Sequence, residues 1–293
     1  MFNVLPEVVV DLSCRLGEGP LWHPVEKRLY WLDYPMGRIY RYDPASGGHE
    51  LAFQGARTAG FTFQADGGLL LFMDGPSVAI LHDGELSYVF EGLPDEAGMH
   101  FNDALADPKG RVFSGTVPDD RSRIADKVGK LYRLDTDGSA RPVADGIGIS
   151  NGMAFTPDGK QMYYTDSYTR TIYMFDYHED SGEISNGRVF VKTAPDGGLP
   201  DGMTVDAEGY VWSARWDEWV LCRYAPDGTE ERRIRFPANK VSSLTFGGAD
   251  YSDIYVTTAG GDHRNGDGAM AGALFRLDVG IRERQEHFSR VSL

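Results

Sequence analysis

The stretch ISNGMAFTPDGKQMYYTDS (149–167) contains the pattern that decides the fold. A short apolar segment leads into an Asp-Gly turn, and a second β-rich run, QMYYTD (161–166), follows that turn. Short apolar or β-branched runs that are punctuated by Gly, Pro and Asp indicate antiparallel hairpins. This stretch is therefore predicted to be one hairpin of a β fold.

The same pattern occurs six times, in copies that begin at positions 17, 59, 102, 151, 201 and 242. A third β-rich run follows each copy, for example TIYMFDY (171–177), and a weaker fourth run, such as GRVFVK (187–192), follows most of them. A large β-sandwich would not produce six matched sets of strands. The repeats predict an all-β fold, a six-bladed β-propeller with four-stranded antiparallel blades around a central channel.

Because the blades of a propeller close into a ring, we expect a single domain over residues 1–293. The segment EVVVDLS (7–13) is predicted to supply the outer strand of the last blade. No long helical pattern interrupts the repeats.

Composition excludes several classes of protein. The 293 residues include 29 basic and 44 acidic side chains, which gives a net charge of −15. Such a surface repels phosphate backbones and anionic lipids, so we expect no nucleic acid and no membrane as a partner. The two cysteines exclude a disulfide framework. With no signal-peptide pattern and no long apolar run, we expect a cytoplasmic protein without an obligate protein partner.

The first strand of each blade lines the channel, so its first residue lies at one mouth. The six residues of this ring are Glu18, Ala59, Asn102, Asn151, Asp201 and Ser242. The two carboxylates have no Lys or Arg beside them in this ring, so we expect a cation to balance their charge. Oxygen ligands suit Ca²⁺, Mg²⁺ or Mn²⁺ and also admit Fe²⁺ or Zn²⁺. The alternative is that these polar residues cap strand ends and bind channel water.

Other sequence features narrow the chemistry. The chain has neither an HExxH motif nor a GxSxG motif, which argues against a zinc protease and a serine hydrolase. The loop VPDDRSRIADKVG (117–129) is predicted to be a lid over the same mouth, and RWDEW (215–219) brings Arg215, Trp216 and Trp219 to it. Five acids that precede or lie in Gly turns are predicted to be turn formers, namely Asp66, Asp107, Asp158, Asp206 and Asp227.

Five segments carry a family resemblance. They are GEGPLWHP (17–24), FNDALADPKGRVFSGT (101–116), ISNGMAFTPDGKQMYYTDS (149–167), LPDGMTVDAEGYVW (199–212) and FGGADYSDIYVTTA (246–259). In order and content they resemble the senescence-marker-protein (regucalcin)/gluconolactonase/luciferin-regenerating-enzyme family. The resemblance extends from about residue 14 to residue 278.

The resemblance implies a hydrolase of sugar lactones with one divalent metal ion (Ca, Zn, Mn, Mg or Fe(II)) in the channel. It implies that Glu18, Asn151 and Asp201 are the metal ligands and that Asn102 is a substrate contact or nearby ligand. His100 occupies a position where the family often has a substrate-binding arginine. Asp120 falls near an acidic lid residue that binds substrate in animal members, and with Arg121 it is expected to close over the sugar.

The expected reaction is the opening of an aldonolactone to its aldonic acid. The metal would polarise the lactone carbonyl, and either Asp201 or metal-bound hydroxide would activate water. The alternatives are a phosphotriesterase, a non-sugar lactonase or esterase on the same site, and a non-catalytic calcium-binding propeller. The polar side chains that favour a sugar are His100, Asn102, Asp120, Asp166, Ser167 and Arg215.

Overall fold

Six four-stranded antiparallel sheets form the blades of a β-propeller. The computed structural model describes residues 5–282 and 286–293. Each copy of the sequence repeat forms the two inner strands of one blade, so the predicted six-bladed architecture is confirmed.

The first five blades each take four consecutive strands of the chain, ordered from the channel outward. The strands are β2 (Gly17–His23), β3 (Arg28–Asp33), β4 (Arg38–Asp43) and β5 (Gly48–Gln54) in the first blade; β6 (Thr58–Phe63), β7 (Leu69–Met73), β8 (Ser77–His82) and β9 (Glu85–Phe90) in the second; β10 (Met99–Ala106), β11 (Val112–Pro118), β12 (Gly129–Leu134) and β13 (Ala140–Ile147) in the third; β14 (Ser150–Phe155), β15 (Gln161–Asp166), β16 (Thr171–His178) and β17 (Glu183–Lys192) in the fourth; and β18 (Leu199–Val205), β19 (Val211–Trp216), β20 (Val220–Tyr224) and β21 (Glu230–Arg235) in the fifth.

The sixth blade joins the two ends of the chain. It consists of β22 (Lys240–Gly247), β23 (Asp253–Ala259) and β24 (Ala273–Asp278), with β1 (Glu7–Asp11) paired to the outer edge of β24. The predicted outer strand from the N-terminal segment is thus confirmed. The described residues contain one short helix, α1 (Arg264–Asp267), and 3₁₀ turns at Tyr34–Met36 and Arg121–Asp126. None of these has the length and apolar character that a membrane crossing requires.

The pairing of every inner strand is irregular near the channel mouth. The register shifts between Glu18 and Leu21 in β2, between Ser150 and Met153 in β14, and at the matching positions of the other four. A bulge leaves residues unpaired and redirects their side chains. The ring residues predicted from the repeats therefore lie where the backbone leaves the regular ladder.

Apolar side chains fill the spaces between neighbouring blades. Between the fifth and sixth blades the cluster includes Trp212, Leu221, Phe246, Val256 and Phe275, all almost fully buried. Burying one such side chain contributes about 1.5–3 kcal/mol. This packing holds the inner strands in a fixed ring around the channel.

The predicted turn formers are confirmed at the opposite rim. Each of the five acids accepts a hydrogen bond from the backbone amide two residues further on. The C-terminal residues 286–293 also lie at this rim, where the amide of Ser289 donates to Phe63 and that of Arg290 donates to Gly110. This rim is therefore occupied by structural contacts, which leaves the other mouth for a site.

Candidate active site

A cavity of about 200 Å³ lies at the mouth where the inner strands begin. Four of the six predicted ring residues line it, namely Glu18, Asn102, Asn151 and Asp201. Ala59 and Ser242 do not line it. Ser242 instead donates a hydrogen bond at 2.5 Å to the carbonyl of Gly17, which ties the sixth blade to the first.

Three buried carboxylates on inner strands lie close enough for their charges to interact. Glu18, Asp103 and Asp201 are 5%, 8% and 4% exposed. Burial raises the pKa of Glu18 well above its ordinary range, and the charges of Asp201 and Asp103 raise it further. Burial also raises the pKa of Asp103 to about 7. In the part of the chain that the structure describes, no Lys or Arg forms an ion pair with any of the three.

Arg215 lies behind this group of carboxylates. It is fully buried on β19, opposite Pro200, and its Nη2 donates to the hydroxyl of Tyr224 at 2.6 Å. Burial and Asp103 raise the pKa of Asp201, while the charge of Arg215 acts in the opposite direction. Arg215 does not line the cavity. When all three carboxylates are ionised, this one cation leaves an excess of two negative charges, which one divalent ion would balance.

The ligand set predicted from the sequence fits a divalent cation. Oδ1 of Asn151 and Oδ1 of Asp201 are buried and have no hydrogen-bond partner among the described residues. An unsatisfied buried acceptor costs about 1–3 kcal/mol unless something else satisfies it. Carboxylate and amide oxygens are the ligands that hard divalent cations prefer. These two atoms and Glu18 therefore make a suitable set of oxygen donors.

This set differs from a typical cluster of metal-binding side chains. Within residues 5–282 and 286–293, no group of three or more His, Cys, Asp or Glu side chains is arranged to hold a metal ion. The predicted set contains only two such residues, because its third member is the amide of Asn151. The amide and the two carboxylates come from three different blades, so the ring itself brings them together.

The predicted substrate-binding residues occupy different environments. His100 and Asn102 line the cavity, and Nδ2 of Asn102 donates to the carbonyl of Ser150 at 2.7 Å. Asp120 lies on the predicted lid, but its carboxylate accepts a hydrogen bond at 3.0 Å from the amide of Ser122 and does not line the cavity. The lid residues that line it are Asp119, Arg121 and Ile124. A role for Asp120 in binding stays a prediction.

The remaining wall is largely apolar. Tyr34, Ile149, Leu199 and Trp216 contribute to it, so the expectation that Trp216 reaches the mouth is confirmed. Trp219 does not line the cavity. The cavity thus combines oxygen-rich groups with an apolar wall, as small-molecule sites commonly do.

Three candidate residues were missed at the level of sequence. They are Tyr34, Asp103 and Asp119. A signal for Asp103 was present, because Asn102-Asp103 stands where two other copies have Asn151-Gly152 and Asp201-Gly202. No comparable signal marks Tyr34, and Asp119 is distinguished from Asp120 only by the local turn.

The fold and the site define a six-bladed propeller with an oxygen-rich, carboxylate-bearing channel mouth. Residues 16–260 match the SMP-30/Gluconolactonase/LRE-like region, and the chain belongs to this family. The family predicted from the motifs is confirmed.

Individual relatives cover almost the whole chain. It is 48% identical over 295 residues to the pentonolactonase XacC of Haloferax volcanii, covering 97% of this chain and 98% of that protein. It is 30% identical over 285 residues to regucalcin of Homo sapiens, covering 94% and 95%. Its structure is similar to that of a calcium-binding protein, regucalcin, from Agrobacterium tumefaciens, with a TM-score of 0.90, 25% identity and 98% of each chain covered.

Proposed function

We propose that this protein is a metal-dependent carboxylic-ester hydrolase that opens a sugar (aldono-) lactone to the aldonic acid. The observation that carries the proposal is the pair of buried, unpartnered oxygens, Oδ1 of Asn151 and Oδ1 of Asp201, beside a cavity within the described residues. The 48% identity to a pentonolactonase supports the substrate class.

Glu18, Asn151 and Asp201 would hold one divalent cation. Calcium, zinc, manganese, magnesium and iron(II) are all candidates, because oxygen ligands bind each of them. When bound, the cation withdraws electron density from the lactone carbonyl and compensates the negative charge that develops on its oxygen.

Asp201 is the proposed general base. Its carboxylate takes a proton from the attacking water as the water oxygen bonds to the carbonyl carbon. The bond from that carbon to the ring oxygen then breaks, and the ring oxygen receives the proton from Asp201 and becomes a hydroxyl group. The product is an open-chain acid, which ionises in water. Burial raises the pKa of Asp201 in the cation-free site, and a bound cation would favour the ionised carboxylate that this role requires.

The walls of the cavity would orient the lactone. His100 and Asn102 are proposed to bind its hydroxyl groups, and Asp120 on the lid is proposed to do the same when the lid closes. Trp216 and Leu199 offer an apolar surface to the ring face. This apolar surface would exclude bulk water from the ring face and leave the side of Asp201 open to the attacking water.

A second candidate keeps the mechanism but changes the substrate. Of the polar side chains that favoured a sugar, Asp166 already accepts backbone hydrogen bonds, at 3.0 Å from the amide of Ile149 and 3.1 Å from that of Tyr168. Arg215 is buried behind the site. The polar surface offered to a substrate is therefore smaller than the sequence suggested. This observation favours a lactone or ester with fewer hydroxyl groups, or a phosphotriester, as the alternative.

A hydrolysis panel tests both candidates. Chelator-treated protein is given single divalent cations, and acid release is followed with five- and six-carbon aldonolactones, an unsubstituted aliphatic lactone and a phosphotriester. The proposal predicts cation-restored turnover that is fastest on an aldonolactone. Preference for the aliphatic lactone or the phosphotriester would favour the second candidate. Cation binding without turnover of any substrate would favour a non-catalytic calcium-binding propeller.

The proposal includes three further sequence-based predictions. We infer one domain over residues 1–293, a cytoplasmic location and no obligate protein partner. Cell fractionation and size-exclusion chromatography of the purified protein test the last two, and a single cooperative melting transition tests the first.

A further inference from the structure

The lid and the cavity wall are joined by one histidine–carboxylate pair. Nδ1 of His100 lies 2.8 Å from Oδ1 of Asp119, the residue that follows β11. The backbone amide of Asp119 donates to the carbonyl of Gly98 at 2.9 Å, so the acid is itself fixed at the base of the lid. Both side chains line the cavity. The pair therefore fixes the position of His100 from the side of the lid.

A residue of a different blade stacks on the imidazole ring of His100. The ring of Tyr34 stacks on His100 with centroids 5.8 Å apart and an interplanar angle of 24°. The hydroxyl of Tyr34 donates to Asp74 at 2.9 Å, and Asp74 also pairs with Arg57. A backbone bridge joins Asp74 to His100. Residues from the first three blades thus hold one side chain in place.

These contacts determine which ring nitrogen of His100 is available to bind a ligand. A carboxylate accepts hydrogen bonds, so Nδ1 carries the proton in its contact with Asp119. Nε2 has no hydrogen-bond partner within residues 5–282 and 286–293. His100 therefore borders the cavity in an orientation that these contacts hold, with Nε2 free to bind a ligand.

We infer that Asp119 and Tyr34 are positioning residues that hold His100 so that Nε2 binds a hydroxyl group of the substrate. The inference rests on the proposed function, because it concerns a hydroxylated substrate in the same cavity. The two neighbouring lid acids differ in their contacts: Asp119 contacts His100, whereas the carboxylate of Asp120 accepts from the amide of Ser122 at the start of the 3₁₀ turn.

A purely structural link between blades is the competing explanation, and kinetics separate the two. A residue that binds a non-reacting hydroxyl contributes equally to the ground state and the transition state, so its loss raises KM and leaves kcat nearly unchanged. We expect Asp119→Ala to raise KM about 10-fold, the effect of losing one oriented hydrogen bond. Asp119→Asn keeps an acceptor oxygen for Nδ1 and should restore most of the affinity.

A double-mutant cycle tests whether Asp119 acts through His100. In the His100→Ala background, Asp119→Ala should change KM by less than about 2-fold, because nothing remains to be oriented. The inference would be overturned if the effects of His100→Ala and Asp119→Ala on KM multiply in the double mutant, or if Asp119→Ala leaves KM unchanged. The matched control is Asp83→Asn, which alters an exposed His82–Asp83 pair on the second blade and should leave KM unchanged.

An NMR measurement tests the orientation without any turnover. Nitrogen-15 correlation spectra of the ligand-free protein at pH 8, with the His100 signal assigned from His100→Gln, should show His100 protonated at Nδ1. The tautomer should shift toward protonation at Nε2 in Asp119→Ala. A wild-type protein protonated at Nε2 would overturn the inference. If no lactone is hydrolysed but His100 is protonated at Nδ1, the proposed function fails while the positioning by Asp119 stands.

Discussion

The side-chain amide of Asn151 donates a hydrogen bond to the hydroxyl of Ser167 at 3.1 Å. Ser167 donates its own hydrogen to the carbonyl of Pro200 at 2.6 Å, so its oxygen can only accept from Asn151. The amide of Asn151 is therefore fixed with Nδ2 toward Ser167. Its oxygen is left buried without a partner in the described part of the chain, free for a cation.

Ser167→Ala should weaken the binding of a divalent cation because the amide of Asn151 would lose the contact that orients it. Loss of such a supporting hydrogen bond lowers metal affinity about 10- to 100-fold. Calorimetric titration of chelator-treated protein with Ca²⁺ or Mn²⁺ measures the change. The exposed Ser139, changed to Ala, serves as the control. Equal affinities of Ser167→Ala and wild type would contradict this account of Asn151.

Asp103→Asn should stabilise the cation-free protein at pH 8. Burial raises the pKa of Asp103 to about 7, so the folded state binds this proton more tightly than the unfolded state, whose pKa is about 4. The resulting stability is present below about pH 4 and is lost as the pH rises through 7. Asparagine removes the charge that causes this loss.

Melting curves of chelator-treated protein at pH 5 and pH 8 measure the effect. Asp103→Asn should melt at least roughly 2 °C above wild type at pH 8, with a smaller gain at pH 5. The exposed Asp145→Asn should show no such pH-dependent gain. A gain in melting temperature that is larger at pH 5 than at pH 8 would show that the folded protein does not disfavour the ionised form of Asp103.

Gly152→Ala should damage both the fold and the site. A Cβ atom on Gly152 would lie 2.5 Å from the amide nitrogen of Met203 and 2.6 Å from the carbonyl of Asp201. The inner strands of the fourth and fifth blades would have to separate, at a cost of about 1–3 kcal/mol.

Thermal melting and cation titration of the same sample measure the two consequences. The melting temperature of Gly152→Ala should fall by several degrees, and cation affinity should fall with it, because Asn151 and Asp201 would move apart. Gly266→Ala is the matched control, since a Cβ atom there meets no atom within 4 Å. A Gly152→Ala protein with unchanged melting and affinity would contradict the close approach of these strands.

The spacing of the repeats was enough to predict the blades and the ring residues. An inner strand must begin at the channel mouth, so Glu18, Asn151 and Asp201 could be located from topology alone. Topology alone does not locate Asp103, although an acid replaces the glycine of two other copies there, because side chains alternate along a regular strand and Asp103 should then face away from the channel that Asn102 faces. The bulge between Phe101 and Ala104 breaks this alternation, and Asn102 lines the cavity while Asp103 lines the channel among inner-strand residues of the other blades.

The lid shows a second limit of sequence reasoning. Asp119 and Asp120 are adjacent acids, and nothing in their chemistry distinguishes them. The 3₁₀ turn at Arg121–Asp126 directs the carboxylate of Asp120 to the amide of Ser122, which leaves Asp119 to contact His100. Arg215 is a similar case. Its charge and its loop predicted that it would reach the channel mouth, but it pairs with Pro200, next to Asp201, and is fully buried.

The most direct test of the central claim compares wild type with Asp201→Asn on one aldonolactone. Both proteins are chelator-treated, then saturated with the same divalent cation, with binding verified by calorimetry. Removal of a general base typically lowers the rate about 10²- to 10⁴-fold, and we predict a loss in this range for Asp201→Asn at unchanged melting behaviour. Wild-type turnover in Asp201→Asn, or no cation-dependent turnover in the wild type, would contradict the account.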